Sequence, residues 1–206
     1  MRRSDRLARL LDRLDARTGS RVGRRAAALI AGFTATAVLA PAGASAAVQT
    51  ISIDGPSAAL VNSEDIRVDS APDGTAAVAY RKSVGGQDHV FVSIRQADGA
   101  WSAPEQVDAG VPGAPQPSSL PTLGVANGGR VVVVFANGVA GFEKLHAAIK
   151  PTAAAPFGPI LTVQGDPAGW KDPRLDLAPN GNGFLTVQEA KHVRACQLVG
   201  STFAPG

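Results

Sequence analysis

Between residues 66 and 206 short runs of alternating apolar and polar positions recur in a fixed order. Arg67-Val68-Asp69-Ser70-Ala71-Pro72-Asp73-Gly74 returns as Arg174-Leu175-Asp176-Leu177-Ala178-Pro179-Asn180-Gly181, and a weaker copy runs from Thr122 through Asn127-Gly128. The Asp/Asn-Gly pairs start at 73, 127 and 180, steps of 54 and 53 residues. Such pairs favour the positive backbone angles of tight turns between strands. A β-rich run follows each, at 76–80, 130–135 and 184–187. Then comes an alternating strand: Val90, Val92 and Ile94 match Leu145, Ala147 and Ile149, and Val193 and Ala195 begin the third copy. An aromatic beside a proline closes each unit, as Trp101 with Pro104, Phe157 with Pro159 and Phe203 with Pro205.

With one strand before each Gly turn and one after the aromatic (105–107 and 160–163), each unit predicts four short strands. Residues 131–135 are apolar throughout, as a strand covered on both faces should be. Four antiparallel strands repeated about every 50 residues are the mark of β-propeller blades. The pattern therefore predicts an all-β chain of four-stranded antiparallel blades after an N-terminal signal helix. The repeats fall at 66–110, 121–165 and 173–206, after a segment 47–65 read as an N-terminal strand (48–53) and linker. About three blades result, where closed propellers take four to eight. The third copy reaches only its aromatic at residue 206, so its fourth strand is expected to be missing. The pattern thus reads as an incomplete ring. It would be completed by further chain or by self-association through an open blade edge, unless three sheets form a compact array of their own.

Charge refines this picture. Residues 1–46 carry nine arginines and three aspartates, +6, whereas residues 47–206 carry eleven Lys/Arg and fourteen Asp/Glu, −3. The folded part is mildly acidic, so the basic pI of 9.4 belongs to the leader and gives no nucleic-acid surface. The leader has a basic region at 1–25, an apolar run at 26–40 and small residues Ala44-Ser45-Ala46, which predict cleavage after Ala46. The apolar run of 15 residues is short beside the about 20 of a membrane span. The protein is expected to be secreted or extracytoplasmic and to touch the membrane through its leader alone. An uncleaved anchor is the rival reading, and Arg24-Arg25 is compatible with twin-arginine export.

The blades resemble those of secreted bacterial propellers of the sialidase and BNR-repeat kind across roughly residues 60–206. Asp98-Gly99-Ala100-Trp101, after Gln96-Ala97, is the local counterpart of that family's Asp-box. The resemblance implies a propeller architecture. It carries over no catalytic residue: Tyr80 is the single tyrosine, sits mid-strand, and has no Glu in a motif beside it.

Candidate binding residues are few. Arg67 with Asp69 and Arg174 with Asp176 stand at i and i+2, on one face of a strand, either as a repeated structural ion pair or as channel-lining groups for an anionic or hydroxyl-rich ligand. Trp170, Lys171 and Asp172 lie in or beside the only aromatic loop that breaks the repeat, and an indole flanked by charges suits stacking on a sugar or peptide. His89, His146 and His192 have no metal-ligand spacing, and His89 and His192 read as solvated strand ends. The single Cys196 aligns with Ser93 and Ala148 and reads as a small packed residue. No catalytic, metal or cofactor site is expected. The function expected is a non-enzymatic binding or scaffold module for a glycan or a surface protein. The alternatives are the N-terminal part of a sialidase-like carbohydrate-active enzyme and a structural surface repeat protein.

Overall fold

Three Asx-Gly turns set the frame of the fold. Gly74, Gly128 and Gly181 all have φ between 79° and 89°, which a residue with a side chain adopts only under strain. Two of the turns are near copies. The Ala71 and Ala178 amides donate to the Thr75 and Asn182 carbonyls at 2.8 Å. The Asp73 and Asn180 side chains take the Thr75 and Asn182 amides at 2.9 and 3.0 Å. Each turn folds an inner strand back on the next one.

The computed structural model describes residues 50–55, 59–61, 63–113, 115–164 and 170–205. The expected signal segment and its cleavage site lie outside the described residues. Among the described residues twelve strands form three antiparallel four-stranded sheets, each in simple sequence order. Sheet 1 holds β1 (Arg67–Ser70), β2 (Ala76–Val84), β3 (Gln87–Arg95) and β4 (Glu105–Gln106). Sheet 2 holds β5 (Ser118–Ala126), β6 (Arg130–Asn137), β7 (Lys144–Lys150) and β8 (Leu161–Gln164). Sheet 3 holds β9 (Lys171–Leu177), β10 (Gly183–Glu189), β11 (His192–Val199) and β12 (Thr202–Pro205). This is the blade architecture that the repeat predicts.

The registers fix equivalent positions. Arg67 pairs with Ala79, Thr122 with Val134 and Arg174 with Thr186. Sheet 2 is the middle layer. Val131, Val133 and Phe135 pack toward sheet 1 with Ala77, Ala79, Val90, Val92 and Ile94. Val132 and Val134 pack the other way, with Leu185, Val187, Leu198 and Trp170. An uninterrupted apolar β6 is what a strand between two sheets requires. Burying each valine, leucine, isoleucine or phenylalanine among them stabilises the fold by about 1.5–3 kcal/mol.

Several expectations need correction. Residues 50–53, the described part of the strand expected at 48–53, form no strand. Asp54 is instead held over sheet 1 by the Tyr80 hydroxyl at 2.7 Å and the Lys82 ammonium at 3.2 Å. The free edge of β2 is taken farther on, where Leu60 bridges to Lys82. The third unit does have its fourth strand: β12 follows β11 directly, because the turn at Gly200 (φ 58°) leaves Phe203 inside the strand instead of ahead of it. Phe157 and Phe203 pack against the two apolar clusters, but half-buried Trp101 joins neither and bridges to Arg95.

Candidate ligand-binding site

Two adjoining cavities lie where the chain passes from sheet 1 to sheet 2. The larger, of about 480 Å³, is walled by Asn137, Lys144, His146 and Thr162 of sheet 2, by Phe142 in the β6–β7 loop, and by Val111, Pro112 and Gln116 from the β4–β5 connection. Register explains the sheet 2 wall: Asn137 pairs with Lys144, and His146 with both Phe135 and Thr162, so all face the same way. The smaller cavity, about 250 Å³, shares Val111, Gln116 and Asn137 and adds His89, Gln106 and Asp108 from sheet 1 and its exit.

A polar network joins the two cavities. Asp108 is buried and accepts from the Val90 amide at 3.3 Å, from Gln106 Nε2 at 2.9 Å and from the Ser118 hydroxyl. His89 Nδ1 lies 3.1 Å from the same carboxylate and 3.1 Å from Gln106 Nε2. Asn137 Nδ2 then donates to Ser118 Oγ at 3.0 Å and to the Gln116 carbonyl at 2.9 Å. A carboxylate with this many donors tolerates burial. These groups do not form a Ser–His nucleophile pair: Ser118 is fully buried, its hydroxyl donates to the Asp108 carboxylate, and His89 contacts that carboxylate and not Oγ.

His146 is the unmatched group among the described residues lining these two cavities. It is 5% exposed, its ring lies tilted against Phe135 at 6.1 Å, and its Nδ1 has no hydrogen-bond partner among the described residues. Burial, and next the charge of Lys144, push its pKa below the ordinary imidazole range, against a weaker upward pull from the Leu161 backbone. It therefore faces the cavity as neutral imidazole at neutral pH. Phe142, at the rim, is 67% exposed. The wall thus offers two amides, an imidazole, an ammonium group and an exposed aromatic ring. Asp108 is the one carboxylate among the described lining residues, and it is already engaged.

The residues singled out by sequence are placed elsewhere, and not together. Trp170 is not an exposed stacking platform: it is 3% exposed and packed in the joint between sheets 2 and 3. There it lines a cavity of about 400 Å³ with Cys196 and Phe203. Lys171 and Asp172 are exposed at the start of β9. Asp172 has φ 46° ahead of Pro173, the same kink that Leu120 (φ 50°) makes ahead of Pro121 in sheet 2. Its backbone is thus set by the repeat.

Neither Arg67 with Asp69 nor Arg174 with Asp176 forms an ion pair. Arg67 Nη1 donates to the Glu64 and Ile66 carbonyls, and Arg174 Nη1 to the Pro173 carbonyl at 3.3 Å. Asp69 accepts the Val125 amide of sheet 2 at 2.7 Å, so the recurring Asp serves a sheet-to-sheet joint. In the middle copy Gly124 takes that position, because a Cβ there would lie 2.5 Å from Leu177 Cγ. His89 is half-buried against Asp108 and not a solvated strand end, whereas His192 is exposed. Cys196 is half-buried, and burial raises its thiol pKa.

Two sequence signals point to the groove. The loop between β6 and β7 holds six residues, where the corresponding turns after β2 and β10 hold two. His146 also stands at a position occupied by Phe91 and Arg194 in the other sheets, breaking the repeat.

No protein-family pattern matches the chain, and none of the curated proteins does. Solved structures do. One belongs to a mannoside phosphorylase family containing glycoside hydrolases that target β-1,2 mannosidic linkages in Candida mannan (14% identity, TM-score 0.43, 69% of this chain and 48% of that one). A glycosyl hydrolase from Bacteroides ovatus gives 13% identity and a TM-score of 0.40 over the same shares. An α-L-arabinofuranosidase from Podospora anserina in complex with cellotriose gives 8% identity and 0.36, over 68% of this chain and 66% of that one. The chain spans about half the length of the first two. The three sheets themselves define the class: an all-β protein of propeller-type blades.

Proposed function

We propose that this chain is an exported, non-enzymatic binding module that holds a hydroxyl-rich ligand, a glycan, in the groove between sheets 1 and 2. The observation that carries the proposal is the groove wall itself: exposed Phe142 beside the Asn137 side chain, Gln116, neutral His146 and Lys144. An aromatic face with a few convergent amide and imidazole groups is what a sugar's apolar face and hydroxyls demand. Glycoside hydrolysis uses two carboxyl groups across the scissile bond. Among the described residues lining these cavities there is one, and it is tied to Ser118, Gln106 and His89. That favours binding over turnover. Export follows from the expected signal segment.

A glycan array followed by calorimetry on the strongest ligand tests this. Phe142→Ala should weaken binding by about tenfold, equivalent to 1.4 kcal/mol, with an unchanged melting temperature because the ring is exposed. Equal affinity in the variant, or hydrolysis of the bound glycan, would contradict the proposal.

A further inference from the structure

Both inter-sheet joints are made in the same way. A side chain of one inner strand takes a main-chain N–H of the next: Asp69 from Val125 at 2.7 Å, and Thr122 from Leu175 at 3.3 Å. Around these contacts the front of each sheet is buried under the sheet that follows. Ala77 and Val132 occupy one equivalent position, and Val90 and Leu145 another; all four are buried.

Sheet 3 carries the same front with no described residue packed over Phe184 and Val193. Its residues at those two positions, Phe184 and Val193, are 57% and 79% exposed. Asp176, at the position of Asp69, is exposed, and no described residue hydrogen-bonds its carboxylate. The complementary half is on the back of sheet 1. There Val68 is 67% exposed, while its sheet 2 equivalent, Leu123, is buried beneath sheet 1. Side-chain sizes match across these two surfaces. Phe184 is larger than Ala77 and Val132 on the covering side. On the receiving side Val68, Ser70 and Ala76 are smaller than Leu123, Val125 and Val131. Asp54 lies over Tyr80 and Lys82, farther along β2, and leaves Val68 uncovered.

We propose that the occupant is a second copy of this chain. Its sheet 1 seats on the open front of sheet 3, with Asp176 accepting the main-chain N–H of Ser70 in the second copy. The reciprocal contact closes a ring of six sheets, within the four to eight of closed propellers. Such a head-to-tail contact gives a closed assembly when its rotation closes.

Sedimentation velocity of the purified chain at tens of micromolar, together with Val193→Glu and Val68→Glu, tests the arrangement. Both positions are exposed within one chain, so each variant should still fold and melt cooperatively, at or somewhat below the wild-type midpoint because the dimer contact is lost. The wild type should run at twice the chain mass and each variant at the chain mass. A mixture of the two variants should recover a dimer, because each supplies the face the other has lost. A monomeric wild type would overturn the proposal. So would a dimer that survives Val68→Glu but not Val193→Glu, which would mean that two sheet 3 faces pack together, or a mixture that stays monomeric.

Discussion

The joint between sheets 1 and 2 and the joint between sheets 2 and 3 use equivalent strands, yet they bury different chemistry. The second is closed by apolar packing around Trp170, Leu185 and Leu198, with single polar links such as the Leu175 amide to Thr122 Oγ1 and Arg130 to the Gly181 carbonyl. The first has an apolar interior as well, but its outer end holds Asp108, His89, Ser118 and Asn137 beside two open cavities. The difference originates in the connections. The path from β4 to β5 has room for 107–117, and the six-residue loop after β6 raises Phe142 over the same region. A repeat supplies the scaffold, and departures from it supply a site.

The largest effect that would break this comparison concerns the apolar joint. Trp170→Ala should destabilise the protein by about 3–5 kcal/mol, the range for large aromatic residues in cores. Chemical denaturation would show it as a lower midpoint, and glycan affinity measured below that midpoint should be unchanged. A mild loss of stability with a large loss of affinity would move the ligand site to the Trp170 cavity.

A smaller effect is expected from the polar joint. Asp108→Ala leaves the Ser118 hydroxyl and the Val90 amide without their buried acceptor. The expected cost is about 2–3 kcal/mol, since hydrogen bonds to a charged group are lost and buried donors are orphaned. Asp108→Asn, which keeps one acceptor oxygen, should cost less. Equal melting temperatures for the two variants would show that the network is not what holds this end of the joint.

The smallest effect is a pH dependence. His146 has a pKa lowered by burial, so the unfolded chain binds its proton more readily than the folded one. Its contribution is therefore fully favourable above about pH 6.5, the ordinary histidine value, and is lost as pH falls toward the lowered folded value. Melting temperatures between pH 7.5 and 5 should fall more steeply for the wild type than for His146→Gln. Parallel curves would mean that His146 titrates as if solvated.

The sequence carried the architecture because turn glycines and strand alternation are local signals. Asp73-Gly74 and Asn180-Gly181 imply backbone angles, and the apolar run 131–135 implies a strand covered on both faces, without any knowledge of partners. The site was far less legible. A recurring Arg-x-Asp looks like an ion pair, and only the register between sheets shows that Asp69 reaches the Val125 amide instead. Trp170 looked like a loop aromatic because the strand that places it, β9, begins at the next residue. Asp108 and Ser118, ten positions apart, meet through a connection whose path no local pattern fixes. His146 alternates correctly for a packed strand and shows its orphaned nitrogen only once Phe135 and the cavity are in place.

The central claim is that ligand enters the polar joint and not the apolar one. Backbone amide spectra of the isotope-labelled protein, titrated with the oligosaccharide selected on the array, test it most directly. Shifts should concentrate at Gln116, Asn137, Phe142, Lys144 and His146, with Val187, Cys196 and Phe203 unmoved. Shifts centred on Cys196 and Phe203 would place the ligand between sheets 2 and 3 and contradict the account.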